Sequence, residues 1–176
     1  MKTNIAIIGF MGTGKTVVAK VLAKKLNKEF VELDALIEQK AGRSIPEIFR
    51  QDGEVAFREL EIVVAKEVSK GGGLVIACGG GLVLNKINVD RLKRESVMVC
   101  LVASLGTILK RTLSDGETRP ILDVSDKALE IRELLRFRKP FYERAADITV
   151  NTSKLGIGSV AEQIISKLKE DESFGF

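Results

Sequence analysis

Histidine and tryptophan are absent from this chain, which has one tyrosine, three prolines and two cysteines among its 176 residues. Without histidine, an imidazole base and any histidine-containing zinc site are excluded, so acid–base chemistry falls to carboxylates. The two cysteines, Cys78 and Cys100, stand at the ends of apolar runs and read as buried, inert thiols, not as a disulfide framework. No apolar run exceeds the length of a strand, which excludes a membrane-spanning helix and a membrane partner. Met1-Lys2-Thr3 leads straight into the first apolar run, without a long apolar stretch or a small-residue cleavage site, so a cytoplasmic location is expected. Aromatics are only 5% of residues, and the excess of 28 Lys and Arg over 24 Asp and Glu is scattered. That pattern lacks the concentrated basic face of a nucleic-acid binder and suits anionic small molecules. No Asn-Lys-x-Asp motif is present, which argues against a guanine-reading switch.

Glycine, in contrast, is plentiful and clustered. The first cluster, Gly9-Phe10-Met11-Gly12-Thr13-Gly14-Lys15-Thr16, fits the pattern Gly, four residues, Gly-Lys-Ser/Thr. Such a loop works only between a strand and a helix, because its N–H groups must converge on phosphate oxygens at a helix N-terminus. Both neighbours are predicted. Asn4–Ile8 is an Ile-rich run suited to a strand buried on both faces, and Val17, Val18, Val21, Leu22 and Leu26 then recur at helical spacing. The expected ligand is a nucleoside triphosphate bound by Gly12, Thr13, Gly14, Lys15 and Thr16. Lys15 reaches the β and γ oxygens, and the Thr16 hydroxyl ligates Mg²⁺.

Further along, Phe30–Leu33 reads as a second strand with Asp34 at its C-terminal end, the edge where open α/β sheets bind ligands. Asp34 is also a candidate N-cap for a helix over Ala35–Lys40. Ser44-Ile45-Pro46-Glu47 has the spacing of a capping box and starts a short helix to about Arg50, Gly53 breaks it, and Glu54–Ser69 is helical. Arg58, taken alone, is a solvated helix charge. Gly71–Gly73 ends that helix. A third strand, Leu74–Cys78, runs directly into Gly79-Gly80-Gly81, which permits close backbone approach to a ligand. A polar helix around Asn88–Arg94, a strand at Ser96–Val102 and a helix over Ser104–Arg111 follow. The polar stretch from about 112 to 126 lacks periodicity and is expected to be a lid. Lys127–Phe137 is helical, Pro140 kinks or restarts the helix, Ile148–Val150 is a fifth strand, and Val160–Leu168 closes the chain ahead of a frayed tail from Glu170. Length allows one core, so a single domain over 1–176 is expected: a five-stranded parallel sheet flanked by helices on both faces. No obvious apolar surface helix stands out, and a monomer is expected.

At this point the chain resembles the shikimate kinases, within the nucleoside monophosphate kinase-like group of P-loop proteins. The resemblance covers nearly the whole chain. It rests on the phosphate loop, Glu32-Leu33-Asp34, Gly42-Arg43-Ser44-Ile45, Asp52-Gly53-Glu54 with Phe57-Arg58-Glu59, Gly79-Gly80-Gly81, Arg119-Pro120 and Arg138-Lys139-Pro140-Phe141-Tyr142. It implies ATP as phosphoryl donor, Mg²⁺ as cofactor and the 3-hydroxyl of shikimate as acceptor. By the same resemblance Lys15, Asp34 and Arg119 are catalytic, and helices over about 34–70 bind substrate. Asp34 orients or deprotonates the attacking hydroxyl, Arg58 and Arg138 clamp the carboxylate, and Gly79, Gly80 and Gly81 contact substrate and γ-phosphate. Arg119 enters from the lid, Arg111 stacks on adenine, and the loop Asn151–Leu155 covers the base from the other side. Thr16 and Glu32 hold the metal, with Glu32 standing where members usually carry aspartate. The rival reading is another small-molecule kinase of the same build, for gluconate or a nucleoside monophosphate. The trio Asp34, Arg58 and Arg138 instead favours a small carboxylated polyol.

Overall fold

In the computed structural model, which describes residues 1–114 and 124–176, the Ile-rich segment Asn4–Gly9 forms strand β1, buried along its whole length. Alternation of side chains across a strand sends Ile5 and Ile7 to one face and Ala6 and Ile8 to the other. Both faces are covered, which is why the run carries no polar residue after Asn4. β2 (Glu29–Glu32), β3 (Leu74–Ala77), β4 (Ser96–Val102) and β5 (Ile148–Asn151) complete a parallel sheet of order β2-β3-β1-β4-β5. The expected doubly wound sheet is therefore present, and the chain reverses its winding at β1, where the crevice at the strands' C-terminal edge opens.

On one face, Ile5, Ile7, Val75, Val97 and Val99 pack against Val18 and Leu22 of α1 (Lys15–Leu26) and Ile164 and Leu168 of α7 (Ile157–Glu170). On the other, Ala6, Ile8, Ile76 and Met98 meet Leu33 and Ile37 of α2 (Leu33–Ala41), Phe57 and Val64 of α3 (Ile45–Val68), and Leu92 of α4 (Lys86–Glu95). Ile108 of α5 (Leu105–Ser114) and Tyr142 of α6 (Val124–Ala145) join this second core.

The capping box forms in full, with Glu47 accepting from the Ser44 N–H at 2.9 Å while the Glu47 N–H donates to the Ser44 hydroxyl. Gly53, at φ 81° and ψ 178°, joins two helical pieces across a kink, as expected of a glycine at that point.

Two expectations, the break at Pro140 and the frayed tail, need correction. Pro140 does not interrupt α6, because it lies on the exposed side, where water can satisfy the carbonyl that loses its helical donor. A single 3₁₀ turn at Leu82–Leu84, too short for a periodic signal, follows the second triple glycine. The tail is not frayed: Lys2 donates to Ser173 and Gly175 to Lys2, each at 2.8 Å, and Phe174 is buried in the first core. One apolar ring among polar neighbours is enough to dock it. The stretch expected to be a lid begins and ends helically, in α5 and α6, and residues 115–123, including Arg119, lie outside the described residues.

Candidate active site

The phosphate loop leaves β1 at Gly9 and enters α1 at Lys15. Gly12 (φ 74°) and Gly14 (φ 90°) adopt left-handed backbone that side chains resist, so the N–H groups curl inward. The loop is braced from beneath. The Thr13 hydroxyl donates to the Phe10 carbonyl at 2.7 Å, and Lys15 Nζ donates to the same carbonyl at 3.0 Å. No side chain caps α1 and its first turn has no acid, so the positive end of the helix faces the loop uncompensated. Burial depresses the Lys15 pKa, and the Asp34 carboxylate partly restores it.

At the edge of the next strands, the Thr16 hydroxyl donates to Glu32 Oε1 at 2.7 Å. Two residues on, Asp34 sits in the first turn of α2, but it caps nothing, since α2 starts at Leu33 with Glu32 at the cap position and no side-chain cap bond. The N-cap reading of Asp34 is thereby excluded. Its Oδ1 is instead buried without a hydrogen-bond partner. Burial pushes the Asp34 pKa up, Glu32 and Glu38 add to this, and Lys15 and Arg58 oppose it.

Lys15, Thr16, Glu32, Asp34, Arg138 and the glycines that follow β3 line one cavity of about 280 Å³. The triple glycine is explained by what surrounds it. A Cβ on Gly79 would lie 2.8 Å from Asp34 Oδ1, and one on Gly81 would strike the Arg58 guanidinium. A side chain at Gly79 or Gly81 would fit only if Asp34 or Arg58 moved.

Arg58 is not the solvated charge that its position alone suggests. Its Nη1 donates to Glu61 at 2.9 Å, its Nη2 pairs with Glu54 at 3.2 Å, and its guanidinium lies over the Phe57 ring. Glu61 is the residue that sequence reasoning missed. It is 2% exposed, and burial raises its pKa against the pull of Arg58. A signal existed: Glu61 follows Phe57 by four and precedes Val64 by three, a carboxylate inside the apolar stripe of α3. Across the cavity, Arg138 of α6 has its Nε buried without a partner and approaches Gly80. Arg111 of α5 donates to the Gly12 carbonyl at 3.0 Å and to the Thr152 carbonyl at 2.9 Å, so it ties the phosphate loop to the loop after β5. In that loop Asn151, Ser153, Lys154 and Leu155 line a separate groove with Ser104 and Thr107.

No group of three or more Asp, Glu, Cys or His is placed to hold a metal among the described residues. A hydroxyl and a carboxylate already in contact suit Mg²⁺ nonetheless, because that ion is normally bound by one or two protein oxygens plus substrate phosphates. Cys78 and Cys100 are buried free thiols, and burial raises both pKa values, that of Cys100 to about 11. Among the described residues no helix is long and apolar enough to cross a membrane.

A phosphate loop at the switch point of a parallel sheet, its lysine sharing one cavity with a buried carboxylate and an arginine, defines a P-loop small-molecule kinase. The shikimate kinase family model matches residues 11–169, and a shikimate kinase from Thermodesulfovibrio yellowstonii is 45% identical over 164 residues, 93% of this chain and 94% of the relative. The chain belongs to the shikimate kinase family, ATP-dependent kinases that transfer a phosphoryl group to shikimate. Among solved structures, a shikimate kinase from Acinetobacter baumannii in complex with shikimate matches with a TM-score of 0.89 at 36% identity, covering 98% of this chain and 96% of that one. The Aquifex aeolicus shikimate kinase gives 0.80 at 32% identity, with 94% and 96% covered.

Proposed function

We propose that this chain moves the γ-phosphoryl group of ATP to the 3-hydroxyl of shikimate, with Asp34 as the group that receives the hydroxyl proton. The observation that carries the reading is the buried, unpartnered Asp34 Oδ1, which shares one cavity with Lys15 and Arg138. A buried acceptor without a donor is costly, and a substrate hydroxyl removes that cost when it binds. The raised proton affinity of Asp34 suits a base that must hold the proton as the oxygen attacks.

Lys15, together with the N–H groups of Gly12 to Thr16, binds the β and γ phosphates. Phosphoryl transfer depends mainly on positioning and charge stabilisation, which a fixed lysine and a helix N-terminus supply without rearrangement. Arg58 and Arg138 bind the acceptor's carboxylate, since planar guanidiniums pair bidentately with carboxylates. The Gly79–Gly81 backbone lies between them and lets the acceptor approach. Arg111 serves the adenine side, and Arg119 acts from a lid over about 112–126, closing the site to water. Thr16 and Glu32 would hold Mg²⁺, which would neutralise charge on the nucleotide's phosphates. We further propose that residues 1–176 act as one kinase domain with acceptor-binding helices over about 34–70, as a cytoplasmic monomer without a nucleic-acid or membrane partner.

The test is ADP release from ATP and Mg²⁺ with shikimate, gluconate, AMP or no acceptor. Stimulation by shikimate alone is expected. Equal rates with all four would overturn the acceptor assignment.

A further inference from the structure

The sequence block Arg138-Lys139-Pro140-Phe141-Tyr142 contributes Arg138 to the reading above, and nothing so far uses its tyrosine. In α6, residues four apart share a face. Lys139 and Glu143 form an exposed pair at 3.8 Å, whereas Arg138 and Tyr142 face inward, with Tyr142 only 4% exposed. The Tyr142 hydroxyl donates to the Gly80 carbonyl at 2.5 Å, and the Arg138 guanidinium lies beside them, with both Arg138 Nη1 and the Tyr142 hydroxyl within 4 Å of where a Gly80 Cβ would stand.

The three carbonyls of the triple glycine differ in how they are held. Gly79 accepts from the Leu82 N–H at 3.2 Å and Gly81 from the Leu84 N–H at 3.1 Å, both within the 3₁₀ turn that follows. The Gly80 carbonyl accepts from Tyr142, which reaches across from another element. Glycine peptides rotate more freely than any others, so this middle peptide depends on an outside anchor. Because the peptide is planar and trans, fixing the Gly80 carbonyl also fixes the direction of the Gly81 N–H.

From this we infer that Tyr142 is a positioning residue for the acceptor, its hydroxyl setting both the Arg138 fork and the Gly80–Gly81 peptide in one arrangement. It touches no reacting atom. It joins two parts of the cavity wall that come from separate segments, so the carboxylate clamp and the backbone N–H present themselves at a constant spacing. Removing the hydroxyl leaves the Gly80 carbonyl without its donor and opens space beside the guanidinium. The acceptor then has to order both on binding.

This inference rests on the shikimate reading, and the test separates the two. Tyr142 is the only tyrosine and tryptophan is absent, so intrinsic emission reports from this one side chain. In the unmodified protein, shikimate is expected to change that emission saturably, with a midpoint matching its KM. In Tyr142→Phe the shikimate KM is expected to rise about tenfold while the ATP KM stays within about twofold, since the freed peptide and the guanidinium beside it both lie on the acceptor side. The melting temperature should stay within about 3 °C, as the ring and its packing remain. If shikimate turns over normally but leaves the tyrosine emission unchanged, or if the two KM values rise together, Tyr142 has no positioning role. If the unmodified protein does not phosphorylate shikimate at all, the parent reading fails instead. Should Tyr142→Phe not fold, the emission titration decides alone.

Discussion

Asp34→Asn is expected to make the protein more stable and nearly inactive. The substitution keeps the shape and replaces a buried carboxylate with a neutral amide. Asp34 Oδ1 is buried without a hydrogen-bond partner, and a buried charge costs more than a neutral amide left equally unpaired. Lys15 offsets part of that charge penalty, while Glu32 and Glu38 add to it, which leaves a net gain of about 1–2 kcal/mol for the amide. For a chain of this size each kcal/mol corresponds to about 2–4 °C, so the ligand-free melting temperature should rise by about 2–8 °C. The pH dependence has a defined sign. The folded-state pKa of Asp34 lies above the ordinary aspartate value of 3.8, so the folded protein binds this proton more tightly than the unfolded chain. The destabilisation is therefore full at pH values above the raised pKa and disappears as the pH falls through it. The gap in melting temperature between Asp34→Asn and the unmodified protein should narrow on acidification from pH 8. Turnover should drop by at least about 10²-fold, the usual worth of a positioned base. Scanning calorimetry without ligands, from pH 8 down towards the ordinary carboxylate value of 3.8, is the assay. A variant that melts lower at pH 8, or a gap that ignores pH, would refute the reasoning.

Other substitutions separate the parts of the site. Arg58→Ala should weaken shikimate binding by about 2–3 kcal/mol and leave ATP affinity nearly intact, because a charge-assisted pair is lost locally. Calorimetric titration of each ligand checks this, and unchanged shikimate affinity would remove Arg58 from the clamp. Glu61→Gln should raise the shikimate KM several-fold, about 1 kcal/mol, by freeing Arg58 from its buried 2.9 Å partner; it should have little effect when Arg58 is already alanine, and additive losses in the double variant count against that coupling. In Gly79→Ala the new Cβ would lie 2.8 Å from Asp34 Oδ1, so turnover should fall by at least about tenfold with ATP affinity retained. A fully active variant means Asp34 has room that the geometry denies. Glu32→Asp shortens the side chain that now receives the Thr16 hydroxyl, and the Mg²⁺ concentration for half-maximal activity should shift by several-fold. An unaltered Mg²⁺ profile places Glu32 outside the metal site.

The sheet, its parallel order and the phosphate loop were legible because their signals are local: apolar runs of strand length, helical spacing between them and glycines at fixed offsets. The placing of Asp34 in the cavity was legible only through its position at a strand end, since an aspartate near a helix start can also serve as a cap. Glu61 was illegible for a different reason. Its role comes from Arg58 one turn away and from the glycines opposite, and burial of a carboxylate is decided by tertiary packing. The docked tail shows the same limit, as the neighbours of Phe174 lie at the other end of the sequence. Tyr142 stood within a block chosen for Arg138, and only the three-dimensional placement of Gly80 distinguishes its hydroxyl from a ring that merely fills space.

The uncapped start of α1 has a thermodynamic consequence. With no acid in its first turn and no side-chain cap, this helix leaves its end groups to be completed by an anion from solution. Part of the free energy that holds the fold together is thus supplied by nucleotide, in proportion to the logarithm of its concentration. At a thousandfold excess over the dissociation constant the contribution is about 4 kcal/mol, comparable to the whole stability of a weak domain. Lifetime in a cell would then follow the supply of ATP, with starved cells holding a softer, more readily degraded population than well-fed ones.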